Sequence, residues 1–242
     1  MKNMFFLFIC LMYSVGLFSQ TYLVEYHFTR PNLGASKKIP ESIRNKPSVL
    51  RMFQKERRRV LVFQLNHING QSKFEIKYTT LDGEKDFDSR RLSGYGDTYK
   101  DFSKGCYIQV ADFIEKNTAV REYFDDIFDW KIEPSRDSII AGFHCQRATT
   151  VDGKDLIVAW YSRSVPIMDG PFKYAGLPGL IIQLESRFGI AQVADIQVVK
   201  NNKEKIVIPE KEKYISFKEM KESRTLTVKA KRIKKKNGQN HK

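Results

Sequence analysis

Residues 159–185 read AWYSRSVPIMDGPFKYAGLPGLIIQLE and hold three prolines and three glycines between two apolar runs. Because proline has no backbone N–H to donate, it is excluded from central positions of a sheet. The stretch from Arg163 to Ala175 is therefore predicted to be a structured loop that follows the strand carrying Trp160-Tyr161. Phe172 and Tyr174 give this loop apolar side chains, so we expect it to fold back onto the sheet.

A tight turn is predicted within Leu177-Pro178-Gly179-Leu180. Proline presets φ at the second position of a type II turn, and glycine accepts the positive φ that the third position requires. Gly176, just before the turn, permits close backbone approach or another unusual dihedral. Residues 180–182 (LII) then follow without alternation, which indicates a strand end that is covered on both faces.

Period-two alternation of apolar and polar residues dominates the rest of the chain. It is clear in Tyr22–Phe28 and in Phe74–Tyr78, and Val60–Leu65 is apolar and β-branched. Asn69-Gly70 lies between the last two runs and predicts a hairpin turn. Further strand-like runs are Tyr107–Val110, Trp130–Ile132, Ile139–Thr149, Leu156–Ser162, Leu180–Phe188 and Ile190–Val199, with turns predicted at Asp152-Gly153 and Phe188-Gly189.

Helix signals are sparse. Ser216 with Glu219 three residues later matches a capping box, which predicts a short helix near residues 217–223. Residues 40–59 fit either a helix or a long loop over the sheet, and residues 119–128 fit either a helix or a strand. We therefore predict a mainly β protein: a curved antiparallel sheet, a half-barrel or open roll, with one or two covering helices. The aromatic content of 12% predicts a large apolar concave face that needs a cover.

The two ends of the 242-residue chain differ from its middle. Lys2 followed by the apolar run Met4–Leu17 is typical of an export signal, and the run is shorter than the roughly 20 residues of a membrane span. We predict a signal peptide at 1–19, a single β-rich domain at 20–228 and a basic, disordered tail at 229–242. Export would place the mature protein in the periplasm or at the outer envelope, soluble after cleavage.

The net charge of +14 is concentrated at the C-terminus, where residues 200–242 hold fifteen Lys or Arg against five Glu. This block is either a solvated tail or a region of peripheral contact with anionic lipid. Nucleic acid is a poor partner for an exported protein, and none is predicted.

Two cysteines, Cys106 and Cys145, remain once the predicted signal peptide is removed. In an oxidising compartment they form a candidate disulfide, and the alternative is two buried free thiols.

Catalytic and metal-binding motifs were not found. None of the four histidines lies three to five residues from another, and there is no HExxH, CxxC, GxSxG or phosphate-loop pattern. The sequence therefore predicts no metal site, no cofactor and no catalytic residue.

Residues 159–185 resemble the signature of the GLPGLI family, which is named after the six residues Gly176–Ile181. The resemblance extends upstream through Trp130 and residues 140–148 (IAGFHCQRA), and it includes the step Val165-Pro166. It implies a secreted envelope protein of Bacteroidota without an established activity. GLPGLI proteins tend to sit beside outer-membrane transporters, which implies such a transporter as a partner.

Two interpretations of the loop compete. In the first it is architectural and closes one end of the sheet. In the second it lines a pocket or docking surface, with the candidate residues Trp160, Tyr161, Pro166, Gly170, Pro171, Phe172, Tyr174, Gly176, Leu177, Pro178 and Gly179.

The sequence therefore favours a non-enzymatic binding or accessory protein that holds a lipid or peptide ligand or serves an outer-membrane transporter. The alternatives are a secreted hydrolase or its accessory subunit, with His144, Ser162 and Asp169 as candidate parts, and a purely structural envelope component.

Overall fold

The computed structural model describes residues 20–33, 41–87, 96–110, 116–200 and 204–223. The predicted signal peptide and the predicted basic tail lie outside these residues. Among them, no helix is long and apolar enough to cross a membrane.

The described residues include thirteen strands and four short helices. The strands are β1 (Gln20–Thr29), β2 (Val60–Ile68), β3 (Gln71–Leu81), β4 (Glu84–Asp86), β5 (Thr98–Asp101), β6 (Cys106–Val110), β7 (Thr118–Tyr123), β8 (Lys131–Ile140), β9 (Phe143–Asp152), β10 (Asp155–Ser162), β11 (Leu180–Ser186), β12 (Gly189–Lys200) and β13 (Lys213–Ile215). The helices are α1 (Glu41–Arg44), α2 (Pro47–Arg58), α3 (Phe124–Ile127) and α4 (217–223).

All strands belong to one open sheet with the order β13-β7-β6-β5-β3-β2-β1-β12-β11-β10-β9-β8, and β4 pairs with β3. Every pair is antiparallel except β13 with β7, which is parallel. Register shifts interrupt the ladders at Glu25/Tyr26, Val62/Phe63 and Trp160/Tyr161. Such bulges bend a strand and increase its twist, and they help to curve the sheet. The predicted mainly β fold, an open curved sheet with short helices, is confirmed.

The main core lies on the inner face of this sheet. Alternate residues of β1 point into it, among them Val24, Tyr26 and Phe28, and they meet inward side chains of β2, β3, β10 and β11. The loop of residues 163–179 covers this face, because Val165, Ile167 and Tyr174 belong to the same core. The predicted loop that folds back onto the sheet is therefore confirmed. Residues 180–182 are completely buried, as their lack of alternation predicted.

The local predictions have mixed outcomes. The hairpin at Asn69-Gly70 is confirmed, and both residues have the positive φ of a tight turn. The capping box is confirmed as well, since Glu219 N donates to Ser216 Oγ and Ser216 N donates to Glu219 Oε2. The predicted single strand Ile139–Thr149 is wrong, because Ala141-Gly142 forms a positive-φ turn between β8 and β9.

The predicted type II turn at residues 177–180 is also wrong. Gly179 N donates to Leu177 O at 2.7 Å, and Leu180 N donates instead to Val165 O. Leu180 therefore already belongs to the hydrogen bonding of the loop, and the chain turns within three residues.

The candidate disulfide is not formed in the structure. Cys106 and Cys145 are both buried free thiols, the first in β6 and the second in β9. Seven strands separate β6 from β9 in the sheet order, and Cys145 Sγ donates to the carbonyl of Phe143. The free-thiol alternative is therefore the arrangement that the structure shows.

Candidate functional site

A row of polar side chains crosses six strands on the inner face of the sheet. Each residue stands directly opposite the next across a strand pair, and opposed residues share a face of the sheet. The row runs Tyr22, His67, Ser72, Lys100, Tyr107, Glu122 from β1 to β7. Two of its residues, His67 and Lys100, are polar partners of the covering loop.

Asp169 of the loop lies against the middle of this row. Lys100 Nζ donates to Asp169 Oδ1 at 2.6 Å, and His67 Nδ1 lies 2.8 Å from Asp169 Oδ2. Lys100 Nζ also donates to the carbonyls of Gly170 and Tyr174, at 2.5 and 3.3 Å. Neither the Lys100 nor the Asp169 side chain has exposed surface. The ion pair is thus surrounded by hydrogen bonds, which a buried pair needs to offset its loss of hydration.

The surroundings of the pair favour the ionised form of Asp169. Burial raises the pKa of the Asp169 carboxyl, but the charge of Lys100 and the hydrogen bonds from His67 and Lys100 outweigh burial, and the net pKa lies well below its ordinary value. Burial lowers the pKa of Lys100, and the Asp169 charge opposes that effect. Asp169 contacts His67 of β2 and Lys100 of β5, so these buried contacts hold the loop against the two strands.

Other hydrogen bonds hold the rest of the loop. Trp130 Nε1 donates to Ala175 O at 2.9 Å, and Gly176 N donates to Met168 O at 3.0 Å. Asp169 also receives a backbone hydrogen bond, because Ile181 N donates to its carbonyl. The loop is therefore pinned along its length.

An apolar pocket of about 300 Å³ lies where the loop meets the sheet. Phe28, Phe63 and Phe74 line it from β1, β2 and β3, and Phe172 of the loop joins them. The Phe172 ring makes edge contacts with these three rings at centroid distances of 5.6, 5.3 and 5.0 Å. We call these four residues the aromatic floor.

Phe172 has a left-handed backbone with φ of 56°. This conformation is unfavourable for a bulky residue, and it persists only where the surrounding structure enforces it. Lys100 Nζ donates to the carbonyls of Gly170 and Tyr174, which lie on either side of Phe172 in the loop. The Phe172 ring itself lines the pocket.

Polar groups stand at one side of the pocket, beside α4. Lys173 Nζ lies 3.1 Å from Asp152 Oδ2, and Tyr174 Oη donates to the same oxygen at 3.1 Å. Lys173 Nζ also lies 4.6 Å from the centre of the Phe217 ring of α4. Burial and the Asp152 charge raise the pKa of Tyr174 well above its ordinary value, so its hydroxyl stays protonated. Lys173, Asp152 and Tyr174 form the polar rim.

The structure divides the eleven predicted loop residues between these roles. Phe172 and Tyr174 line the pocket. Gly170 supplies a carbonyl to Lys100, and Tyr161 is buried in the core, where its hydroxyl donates to Gln146 Oε1. The other seven residues differ in burial. Leu177 is buried in the core, Pro171 and Gly179 are buried, and Trp160 is half-buried. Pro166, Gly176 and Pro178 are exposed.

The candidate hydrolase parts are not brought together. His144 is exposed on β9, and Ser162 Oγ hydrogen-bonds Ser164 Oγ. Asp169 instead meets His67 and Lys100. Within the described ranges, no group of three His, Cys, Asp or Glu is placed to hold a metal ion.

Sequence reasoning missed His67, Lys100 and the structural role of Asp169. The only local signal was a lysine inside the short run TYKD, which contains no apolar alternation. Nothing in the sequence joins Lys100 to a carboxylate 69 residues away.

The family model described as a protein of unknown function (Porph_ging) matches residues 144–183, from β9 through the loop into β11. No curated protein matches the chain.

Solved structures that are similar in fold include two of PNGF-II. The one in space group P21 has a TM-score of 0.50 at 13% identity and covers 84% of this chain. The one in space group C2 has a TM-score of 0.49 at 12% identity and also covers 84%. The chain spans only 33% and 32% of those PNGF-II chains. At 13% identity, the first match supports a similarity of fold only.

Proposed function

We propose that this protein is a non-enzymatic binding protein that holds an apolar, lipid-type ligand on the aromatic floor. The observation that carries the proposal is the pocket itself: about 300 Å³, lined by the four rings of the aromatic floor, by the rings of Phe188 and Phe217, and by Leu184 and Met220. This volume lies at the lower end of the range of about 300–1,000 Å³ for small-molecule sites. Each buried methylene of an acyl chain would contribute about 0.8 kcal/mol.

The polar rim supports a ligand with one polar end. Lys173, Asp152 and Tyr174 offer a cation, a carboxylate and a hydroxyl within one hydrogen-bonded group. An apolar tail on the aromatic floor would direct a polar head toward this rim. A few polar groups beside an apolar surface are the usual means of fixing a ligand's orientation.

The position of the pocket favours a lipid over an extended peptide. Peptides that bind sheets do so by adding a strand, which requires unpaired backbone groups at a sheet edge. The pocket lies on the inner face of β1, β2, β3 and β11, and each of these strands is paired on both sides. It therefore offers side chains rather than a backbone edge.

Export to the cell envelope and kinship with the GLPGLI family belong to the same proposal. The N-terminal pattern supports export. The match of a family of unknown function to residues 144–183 covers much of the GLPGLI-like segment. A partnership with an outer-membrane transporter stays a prediction.

The proposal is tested with N-phenyl-1-naphthylamine, an uncharged apolar dye that fluoresces when buried. We expect saturable binding that Leu184→Phe weakens at least tenfold, because the larger ring fills the pocket. Leu156→Phe is the matched control, since Leu156 is 59% exposed and lies outside the pocket. Equal dye binding by both variants and the unmodified protein, with unchanged urea midpoints, would overturn the proposal.

A further inference from the structure

Positive charge is concentrated in one segment of the folded region. Residues 41–59, which include α1 and α2, hold seven Lys or Arg against two Glu, a net charge of +5. The C-terminal residues 200–242 hold +10 of the chain's +14. All remaining residues together therefore carry −1, so the helical segment is the one strongly basic part before the C-terminal block.

Three of the four cations of α2 form a row on its outer side. Arg51, Lys55 and Arg58 recur at the four- and three-residue spacing that aligns side chains on a helix. Phe53, the one buried residue of α2, faces elsewhere. Arg51 and Lys55 have no carboxylate partner within the described ranges, and Arg58 pairs only with exposed Asp82 at 3.4 Å. We call these three residues the α2 ridge.

Large apolar side chains are exposed on α1 and α2, and two of them flank Arg51 of the α2 ridge in sequence. Leu50 is 43% exposed, Met52 is 51% exposed, and Ile43 of α1 is 47% exposed. Cations next to exposed apolar side chains suit a surface that is anionic outside and apolar beneath. A soluble polyanion would bind through the cations alone and would leave the exposed apolar side chains without a partner.

The α2 ridge lies at the same end of the sheet as one side of the pocket. Arg30, just after β1, pairs with Glu56 of α2 at 2.7 Å. The end of β1 pairs with the start of β12, since Thr29 stands opposite Ile190. The adjoining turn carries Phe188, which is 58% exposed and lines the pocket.

We propose that the α2 ridge docks on a bilayer containing anionic phospholipid, which brings the Phe188 side of the pocket toward the membrane. Docking would give the proposed ligand site access to lipid. This use of the contact rests on the proposed function. The contact itself is independent of what the pocket holds and is measured separately.

The test is co-sedimentation of the full mature chain with vesicles of equal parts phosphatidylcholine and phosphatidylglycerol. We expect R51Q/K55Q/R58Q to bind at least tenfold more weakly. The control K131Q/R136Q/R163Q removes the same charge from exposed positions outside the ridge and is expected to stay within twofold of the unmodified protein. L50S/M52S is expected to weaken vesicle binding but not binding to heparin.

Unchanged vesicle binding by the ridge variant would overturn the proposal and assign the contact to residues 200–242. Binding to heparin without binding to vesicles would also overturn it. Dye binding in the pocket is measured on the same protein preparations without vesicles, because the apolar dye would also enter a bilayer. A variant that loses vesicles but keeps the dye supports the docking surface, and a protein that binds vesicles but no dye contradicts only the proposed function.

Discussion

Lys100 Nζ lies 2.6 Å from Asp169 Oδ1, and both side chains are completely buried. This ion pair joins the four-residue strand β5 to the loop that carries the aromatic ring of Phe172. The structure of the pocket therefore depends on a charged contact that lies outside it.

Replacing Lys100 with methionine leaves the Asp169 carboxylate buried without its ion-pair partner, with only the His67 ring and the Gly170 N–H as hydrogen-bond partners. Removing one partner of a buried ion pair costs about 3–5 kcal/mol of unfolding free energy, and we expect a loss of that size in urea denaturation. The control is Lys104→Met, because Lys104 is 73% exposed and its pair with Asp101 is worth little. Equal urea midpoints for the two variants would contradict the account.

The same pair predicts how stability depends on pH. The folded-state pKa of Asp169 lies below its unfolded value of about 3.9. Its contribution is therefore fully present above about pH 4 and is lost as pH falls toward the folded pKa. We expect urea midpoints measured from pH 6 down to pH 3 to fall less steeply for Asp169→Asn than for the unmodified protein. Parallel curves would show that Asp169 does not titrate as described.

Gly176 and Gly179 are expected to differ in their tolerance of alanine. A Cβ on Gly179 would lie 2.2 Å from the backbone oxygen of Ser162, whereas a Cβ on Gly176 would meet no atom within 4 Å. Both have positive φ, so Gly176→Ala should cost about 1–2 kcal/mol from backbone strain alone. Gly179→Ala should cost about 3 kcal/mol, at the upper end of ordinary substitutions. A larger loss for Gly176→Ala in thermal unfolding would reverse this ranking.

Both thiols are expected to be free and unreactive in the folded protein. Burial raises the pKa of Cys145 to about 11, and burial also raises the pKa of Cys106. Ellman's reagent should therefore react with neither thiol in native buffer and with both in denaturant without reductant. A gain of two hydrogens in intact mass on reduction would show that the cysteines are bridged after all.

Local chemistry made much of the fold predictable. The Asn69-Gly70 turn and the Ser216–Glu219 capping box depend only on neighbouring residues, and both formed as expected. Ala141-Gly142 was missed because alanine rarely adopts positive φ. Strand β5 was missed because all four of its residues are buried although three are polar, so no alternation marks it.

The candidate site was less predictable because its parts are distant in sequence. Phe172 and Tyr174 could be recognised as loop aromatics that pack on the sheet. The ring partners of Phe172 come from β1, β2 and β3, and only the strand order brings them together. Asp169 was considered only as a candidate hydrolase part, and its actual partners, His67 and Lys100, lie 102 and 69 residues away in sequence.

Native mass spectrometry of the protein, purified from the cells that naturally produce it, tests the central claim most directly. The account predicts an adduct with the mass of a lipid-type molecule on the unmodified protein and on Leu156→Phe, and little or no adduct on Leu184→Phe. A bare protein mass in all three samples, under conditions that preserve the fold, would contradict a ligand on the aromatic floor.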